Sequence, residues 1–318
     1  MAAETGYAFA PGATAQAPTR TLRSVLADYV QISKPRILLL LLVVAWAAMA
    51  VAAAGLPDWK PFLGVTAAGT FSVAASGAFN NVIERARDRR MERTAQRAVA
   101  AGRISVAAAV AYASVMAVLS FASLAVLELW WAAALTVGAI AYYVLVYTVA
   151  LKPWTPQNIV VGGLAGSFPA LIGWAAQAGD LALPAAAPAL LIAVLVFLWT
   201  PPHFWSLALV YKDEYAAAGY PMMPNVRGDA STRRQIVVYS VLTAACSLAL
   251  AAPALEAAGW IYVATAIALG ALLVARAVAL LRSAGPQQDR GFFFFTIQYL
   301  GLLLLGLMAD RVVFGALA

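Results

Sequence analysis

Asn80, Glu84 and Asp88 stand at i, i+4 and i+8 in the run NNVIERARDRRMERTAQR, residues 80–97. In a helix continued from the apolar stretch before them they share one face, over roughly 12 Å at 1.5 Å rise per residue. An amide and two carboxylates so aligned offer hard oxygen ligands for Mg²⁺, which binds through one or two carboxylates plus substrate phosphate oxygens. Arg85, Arg89, Arg93 and Arg97 repeat at the same spacing as a neighbouring ridge, and guanidinium groups grip phosphate bidentately. Acid face and basic ridge together suit a metal-bridged diphosphate, its charge neutralised as its bond to carbon lengthens. The alternative is a juxtamembrane helix laced with i,i+4 ion pairs. Ionisable residues clustered at the end of a span are costly without a role, which weighs against it.

A second group of reactive residues comes after WTPPHFW, residues 199–205. Asp213 and Glu214, beside Lys212, could supply a second metal ligand across from Asp88, or could form an ordinary solvated loop. His203 is the only imidazole in the chain. It reads as a hydrogen-bonded packing residue, an axial ligand for heme iron or a proton relay. Phe204 and Trp205 beside it could stack on a flat macrocycle, or could belong to a membrane-interface belt. The single cysteine, Cys246, sits in an apolar span and reads as a small buried apolar residue. One cysteine and one histidine exclude an intrachain disulfide and multi-cysteine or multi-histidine metal centres.

The elements that position these residues must be membrane helices. Of 318 residues, 64% are hydrophobic and only 11% charged, with a mean hydropathy of +0.83. A soluble chain carries roughly 25% charge. Nine uncharged windows occur, at 37–57, 61–83, 104–127, 129–151, 153–179, 181–211, 235–255, 257–275 and 291–309. Each can hold the ~20 apolar residues that cross a hydrocarbon core. With nine spans and an inside N-terminus, all 21 basic residues except Lys60 and Arg311 face the cytoplasm, as the positive-inside rule requires. The net charge of +7 is therefore a topology signal and argues against a nucleic-acid partner. Residues 1–27 read as a disordered cytoplasmic tail, Ala/Pro/Thr-rich at its start and without a signal peptide's apolar core. Residues 28–318 read as one all-α, nine-helix membrane domain. Small residues in the fifth span, including a Gly162/Gly166 GxxxG pair, permit close helix approach; Pro201 and Pro202 should break or kink the sixth. The expected location is a bacterial inner membrane, with a periplasmic C-terminus.

The run N-N-x-I-E-R-x-x-D-R-x-M-E-R-T-x-x-R resembles the first signature of the UbiA superfamily of intramembrane prenyltransferases. Glu84 stands where that family usually has Asp, and Ala98 where a proline commonly comes after the last arginine. P-H-F-W (202–205), Y-K-D-E-Y-x-x-A-G-x-P-M-x-P (211–224), Q-I-S-K-P-R (31–36) and the stretch from Tyr147 through Lys152 to Asn158 are similar to the heme O synthase branch. The likeness covers roughly residues 28–310 and implies a UbiA-type helical bundle. It implies that Asn80, Glu84 and Asp88 bind Mg²⁺–diphosphate with an acid from the second loop. The D-x-x-x-D of other branches is absent there, since Ala217 stands four residues after Asp213, which leaves both Asp213 and Glu214 open as that acid, with Asp213 preferred narrowly. It further implies diphosphate contacts from Arg93, Arg97, Tyr147 and Lys152, to which Lys212 is added, and heme contacts from His203 and Trp205.

The expected reaction joins farnesyl diphosphate and water to a vinyl group of heme b, releasing diphosphate, with membrane lipids around the protein and heme A synthase as a partner. The alternatives are a sibling prenyltransferase with another aromatic or tetrapyrrole acceptor, a non-catalytic heme-handling oxidase-assembly protein, and a transporter. A transporter would place its ionisable residues mid-span, whereas here they crowd the inner ends.

Overall fold

The computed structural model describes residues 21–282 and 285–315, and all its regular elements are helical. Residues 1–20 of the expected tail lie outside the described residues. Helix α1 (Leu22–Ile32) begins within 1–27, with Thr21 capping it by accepting from the Ser24 amide at 3.2 Å. Next come α2 (Pro35–Ala52), α3 (Trp59–Asp88), a single turn α4 (Glu92–Ala95), α5 (Val106–Ala125) and α6 (Trp130–Ala141). Without a break α6 becomes a π-helix over Tyr142–Leu151. Helix α7 (Asn158–Gly162) leads through a 3₁₀ turn (Gly163–Ser167) into α8 (Phe168–Ala178). The second half holds α9 (Ala187–Val210), the short α10 (Lys212–Ala217) and α11 (Met223–Arg227), then α12 (Asp229–Ala249), α13 (Trp260–Arg282) and α14 (Pro286–Gly315).

Among the described residues, eight helices are long and apolar enough to cross a membrane, one fewer than the nine expected. The exception is α12, which takes the seventh window. It opens on Asp229 and includes Arg233 and Arg234, and it stops at Ala249, short of the window's end at 255. Its uncharged part is thus only a little over four turns. It is nonetheless packed between α9 and α13. At α9 the prolines do not break the helix, which runs through Pro201 and Pro202 as one element. Proline is tolerated inside a membrane helix because neighbouring helices and local adjustment re-satisfy the backbone groups it leaves free.

The helices form two groups that share a seam. In the first, α3 lies along α5, and α2 along α8; in the second, α9 packs on α12 and α14, and α13 on both of those. Helix α2 touches α14, and α8 touches α9, which closes the bundle. The outward faces carry Leu39, Leu63, Val118, Leu145, Ile267 and Leu302, all more than half exposed; in lipid such residues face their preferred solvent. The α2–α8 crossing depends on one glycine. A Cβ on Gly173 would fall 2.2 Å from the Ala45 carbonyl oxygen, a backbone atom that cannot step aside. Gly173→Ala should therefore destabilise the bundle by about 1–3 kcal/mol through overpacking, read as a lowered unfolding temperature in detergent; an unchanged value would show that the crossing relaxes freely.

Candidate active site

Asn80, Glu84 and Asp88 end α3 on one face, as their spacing implies, and are only 1%, 4% and 2% exposed. Each meets a cation from elsewhere in the chain. Lys34 Nζ donates to Asn80 Oδ1 at 2.6 Å and to the Tyr143 hydroxyl at 3.2 Å. Lys152 Nζ lies 2.5 Å from Glu84 Oε1. Arg97 Nη1 lies 3.0 Å from both Asp88 oxygens and 3.9 Å from Glu84 Oε2. Asn80 Nδ2 in turn donates to Thr148 Oγ1 at 3.3 Å, so the amide oxygen is the end turned to Lys34.

Lys34 was not singled out from the sequence, and backbone geometry explains its reach. It occupies the left-handed region (φ 52°) at the bend between α1 and α2, a costly position for a residue with a Cβ. The bend presses so closely on α3 that a Cβ on Gly77 would meet the Ile32 carbonyl oxygen at 2.5 Å. Asp28 and Gln31 tie α1 down by accepting from Arg103 Nε at 2.9 Å and from the Ala98 amide at 2.8 Å.

The arginine ridge is not continuous, contrary to its helical reading. Helix α3 stops at Asp88 and the chain turns back through α4. Thr94 Oγ1 donates to the Asp88 carbonyl at 3.0 Å, and Met91 is buried among Tyr215, Tyr220 and Met222. The reversal carries Arg97 onto Asp88, where a continued helix would have placed it about two and a half turns further along. Arg93 stacks over Tyr211 at 4.4 Å and donates to the Tyr215 hydroxyl at 3.1 Å. Arg85 and Arg89 bond backbone carbonyls, those of Val82 and Ala100.

From the second loop, Glu214 accepts from the Arg93 amide at 3.1 Å. Asp213 is exposed, and no hydrogen bond or ion pair of its carboxylate occurs among the described residues. Lys212 turns away to Asp229 at 2.9 Å, a hydrogen bond that raises its pKa.

The π-helix places Tyr143 and Tyr147 on the cavity wall and Lys152 beneath the acids. Such wide turns recur at functional sites. Burial alone would pull the Lys152 pKa down, but the Glu84 carboxylate outweighs it and holds the group well above its ordinary value. Tyr220, whose ring lies 4.8 Å from Lys152 Nζ, is pushed by burial up to about 12 and keeps its proton.

A cavity of about 720 Å³ opens beside this cluster, walled by α2, α3, the π-helix, the α7–α8 segment, α9 and α14. Its walls are mostly apolar, with Lys34, Arg36, Arg93 and Arg290 as basic lining residues. His203 lines it too, stacked between Trp199 at 4.3 Å and Phe293 at 4.5 Å. Trp205, two residues on, faces the other way. It is fully buried against Tyr239 of α12, and does not line the cavity. Helical spacing favours Trp199, at i−4 from His203, over Trp205 at i+2; Phe293 comes from α14, for which the sequence offered no motif.

The donor set suits a hard divalent cation. No group of three or more His, Cys, Asp or Glu side chains among the described residues could hold a metal alone. Two carboxylates and an amide therefore leave part of the ion's oxygen shell to substrate phosphate. Three cations face those two carboxylates, so the cluster also suits an anion.

Residues 40–298 match the model of the UbiA prenyltransferase family. A protoheme IX farnesyltransferase from Nostoc sp. is 43% identical over 293 residues, 92% of this chain and 91% of that protein. Another from Gloeobacter violaceus is 41% identical over 92% of this chain and 94% of its own. Among solved structures, one of digeranylgeranylglyceryl phosphate synthase superposes with a TM-score of 0.73 at 14% identity, covering 91% of this chain and 99% of that one. A UbiA homologue from Archaeoglobus fulgidus bound to GPP and Mg²⁺ gives 0.60 at 14% identity, covering 89% and 99%.

Proposed function

The chain belongs to the UbiA prenyltransferase family, and we propose from that membership and from the site that it farnesylates protoheme IX, the activity for which its curated relatives are named. The carrying observation is the buried row Asn80–Glu84–Asp88, joined through Lys34 to the wall of an apolar cavity that the chain's only histidine also lines. It is a multi-pass membrane protein; the distribution of basic residues supports a bacterial inner membrane with the cluster on the cytoplasmic side.

Asn80, Glu84 and Asp88 would hold Mg²⁺, with Asp213 as the loop acid free to join them, since Glu214 is engaged with Arg93. When bound, the ion neutralises the diphosphate and makes it a better leaving group. Lys34, Lys152, Arg93 and Arg97 supply the remaining positive charge, and Tyr147 walls the diphosphate end. As the allylic C–O bond breaks, its electron pair leaves with diphosphate. The farnesyl C1 then bonds to the outer vinyl carbon, and water adds to the resulting cation and loses a proton. The apolar walls shield the first cation from water.

Arg36 and Arg290 line the cavity and have no acidic partner among the described residues. Their charge suits the acceptor's propionates. Arg290→Ala should raise KM for heme b about tenfold and leave KM for farnesyl diphosphate unchanged; an equal rise in both would move Arg290 to the diphosphate end. The direct test of the reaction is purified chain with heme b, farnesyl diphosphate and Mg²⁺. Formation of farnesylhydroxyethyl heme with equimolar diphosphate is expected, and absence of product under turnover conditions would overturn the assignment.

A further inference from the structure

His203 is 8% exposed and held on both faces and at one edge. Trp199 and Phe293 stack on its faces, with interplanar angles of 16° and 21°. Its Nδ1 lies 2.8 Å from Thr296 Oγ1, and that hydroxyl also lies 2.6 Å from the Phe293 carbonyl oxygen. Trp199 Nε1 donates to the Thr296 carbonyl at 2.8 Å, which fixes Thr296 against α9.

Proton counting then assigns the tautomer. Two oxygens 2.6 Å apart need a hydrogen between them, and a carbonyl has none, so the hydroxyl's single hydrogen goes to Phe293. The short contact to Nδ1 needs a hydrogen as well, and only the imidazole can supply it. Nδ1 therefore carries the proton, and Nε2 is left with a lone pair. No hydrogen bond of Nε2 occurs among the described residues, and the residue lines the cavity.

We propose that Thr296 is a positioning residue that locks His203 as the Nδ1–H tautomer, presenting a bare Nε2 from the α9–α14 wall to the iron of the acceptor heme. This deepens the proposed function and rests on its reading of the cavity as the heme site. Metal-binding histidines commonly have the second nitrogen fixed in this way by a hydrogen-bond acceptor. Ligation would hold the macrocycle by its centre while its rim, which carries the vinyl group, reaches toward the diphosphate end.

The chain's single histidine makes the test direct. With ¹⁵N-histidine in a tag-free, substrate-free sample, long-range nitrogen–proton correlation reports one ring. Protonated Nδ1 and unprotonated Nε2 are expected; an Nε2–H ring or a rapidly averaging pair overturns the tautomer assignment. Heme b titration then reads the consequence. Thr296→Val should bind heme about 10- to 100-fold more weakly, with an altered axial-ligand spectrum, the range seen when outer-shell partners of metal ligands are lost. Thr296→Ser, which keeps the hydroxyl, should restore both and shows that the fold tolerates change there. If Thr296→Val behaves as wild type while His203→Ala loses the spectrum, positioning by Thr296 is wrong and iron ligation stands. If His203→Ala keeps affinity and spectrum while wild-type turnover is intact, iron ligation fails and the farnesylation reading survives.

Discussion

Asp88→Asn is expected to abolish heme farnesylation, with a loss of at least about 10³-fold in kcat, while the protein still inserts and folds. The change swaps one oxygen for nitrogen at constant shape, so packing around the residue, which is 2% exposed, is preserved. What changes is charge. Asp88 is one of only two carboxylates in the row, and its oxygens accept a bidentate contact from Arg97. Loss of a single preorganised electrostatic contact at developing charge commonly costs about 10²–10³; here the same substitution also removes a ligand of the proposed ion. Asp213→Asn, at an exposed position outside the cluster, should cost less. The measurement is product formation at saturating Mg²⁺ beside gel-filtration behaviour in detergent. Turnover retained by Asp88→Asn would remove the metal-binding role of α3.

Lys152→Met should give the second large effect, and a double variant separates its two causes. Removing the ammonium strands the Glu84 carboxylate, 4% exposed, without its 2.5 Å partner. Breaking a buried pair from one side costs about 3–5 kcal/mol, so unfolding temperature should fall sharply. Adding Glu84→Gln removes the stranded charge and should restore much of that stability. Turnover should remain lost in the double variant, because neither diphosphate's cation nor the ion's carboxylate is returned. A double variant that recovers activity along with stability would make Lys152–Glu84 a structural pair and nothing more.

The shared face of Asn80, Glu84 and Asp88 was legible in the sequence because helical period alone produces it, and α3 runs unbroken to Asp88. The chain reversal just past Asp88 was not legible. Arg89, Arg90 and Met91 are ordinary helix residues with no glycine or proline among them, so local propensity continued the helix. The burial of Met91 and the Thr94–Asp88 bond stop it, and both depend on tertiary neighbours. Lys34 was legible only in part: Pro35 after it announces a helix boundary, but its contact with Asn80 depends on how the bend packs against α3. The α9 aromatic that meets His203 was within reach, since Trp199 lies one turn away, whereas Phe293 and Thr296 arrive from α14, far along the chain. The bounds of the seventh span were not legible because an uncharged window is not a helix boundary, and α12 starts earlier, on charges.

The central claim is that the end of α3 grips a divalent ion together with an isoprenoid diphosphate. It is tested most directly by a structure of the chain with Mn²⁺ and a non-reactive farnesyl thiodiphosphate. An anomalous Mn²⁺ peak is expected in contact with Glu84 and Asp88 and with diphosphate oxygens, and the farnesyl chain should lie along the apolar cavity. A peak elsewhere, or diphosphate bound with Asn80, Glu84 and Asp88 still held only by Lys34, Lys152 and Arg97, would contradict it.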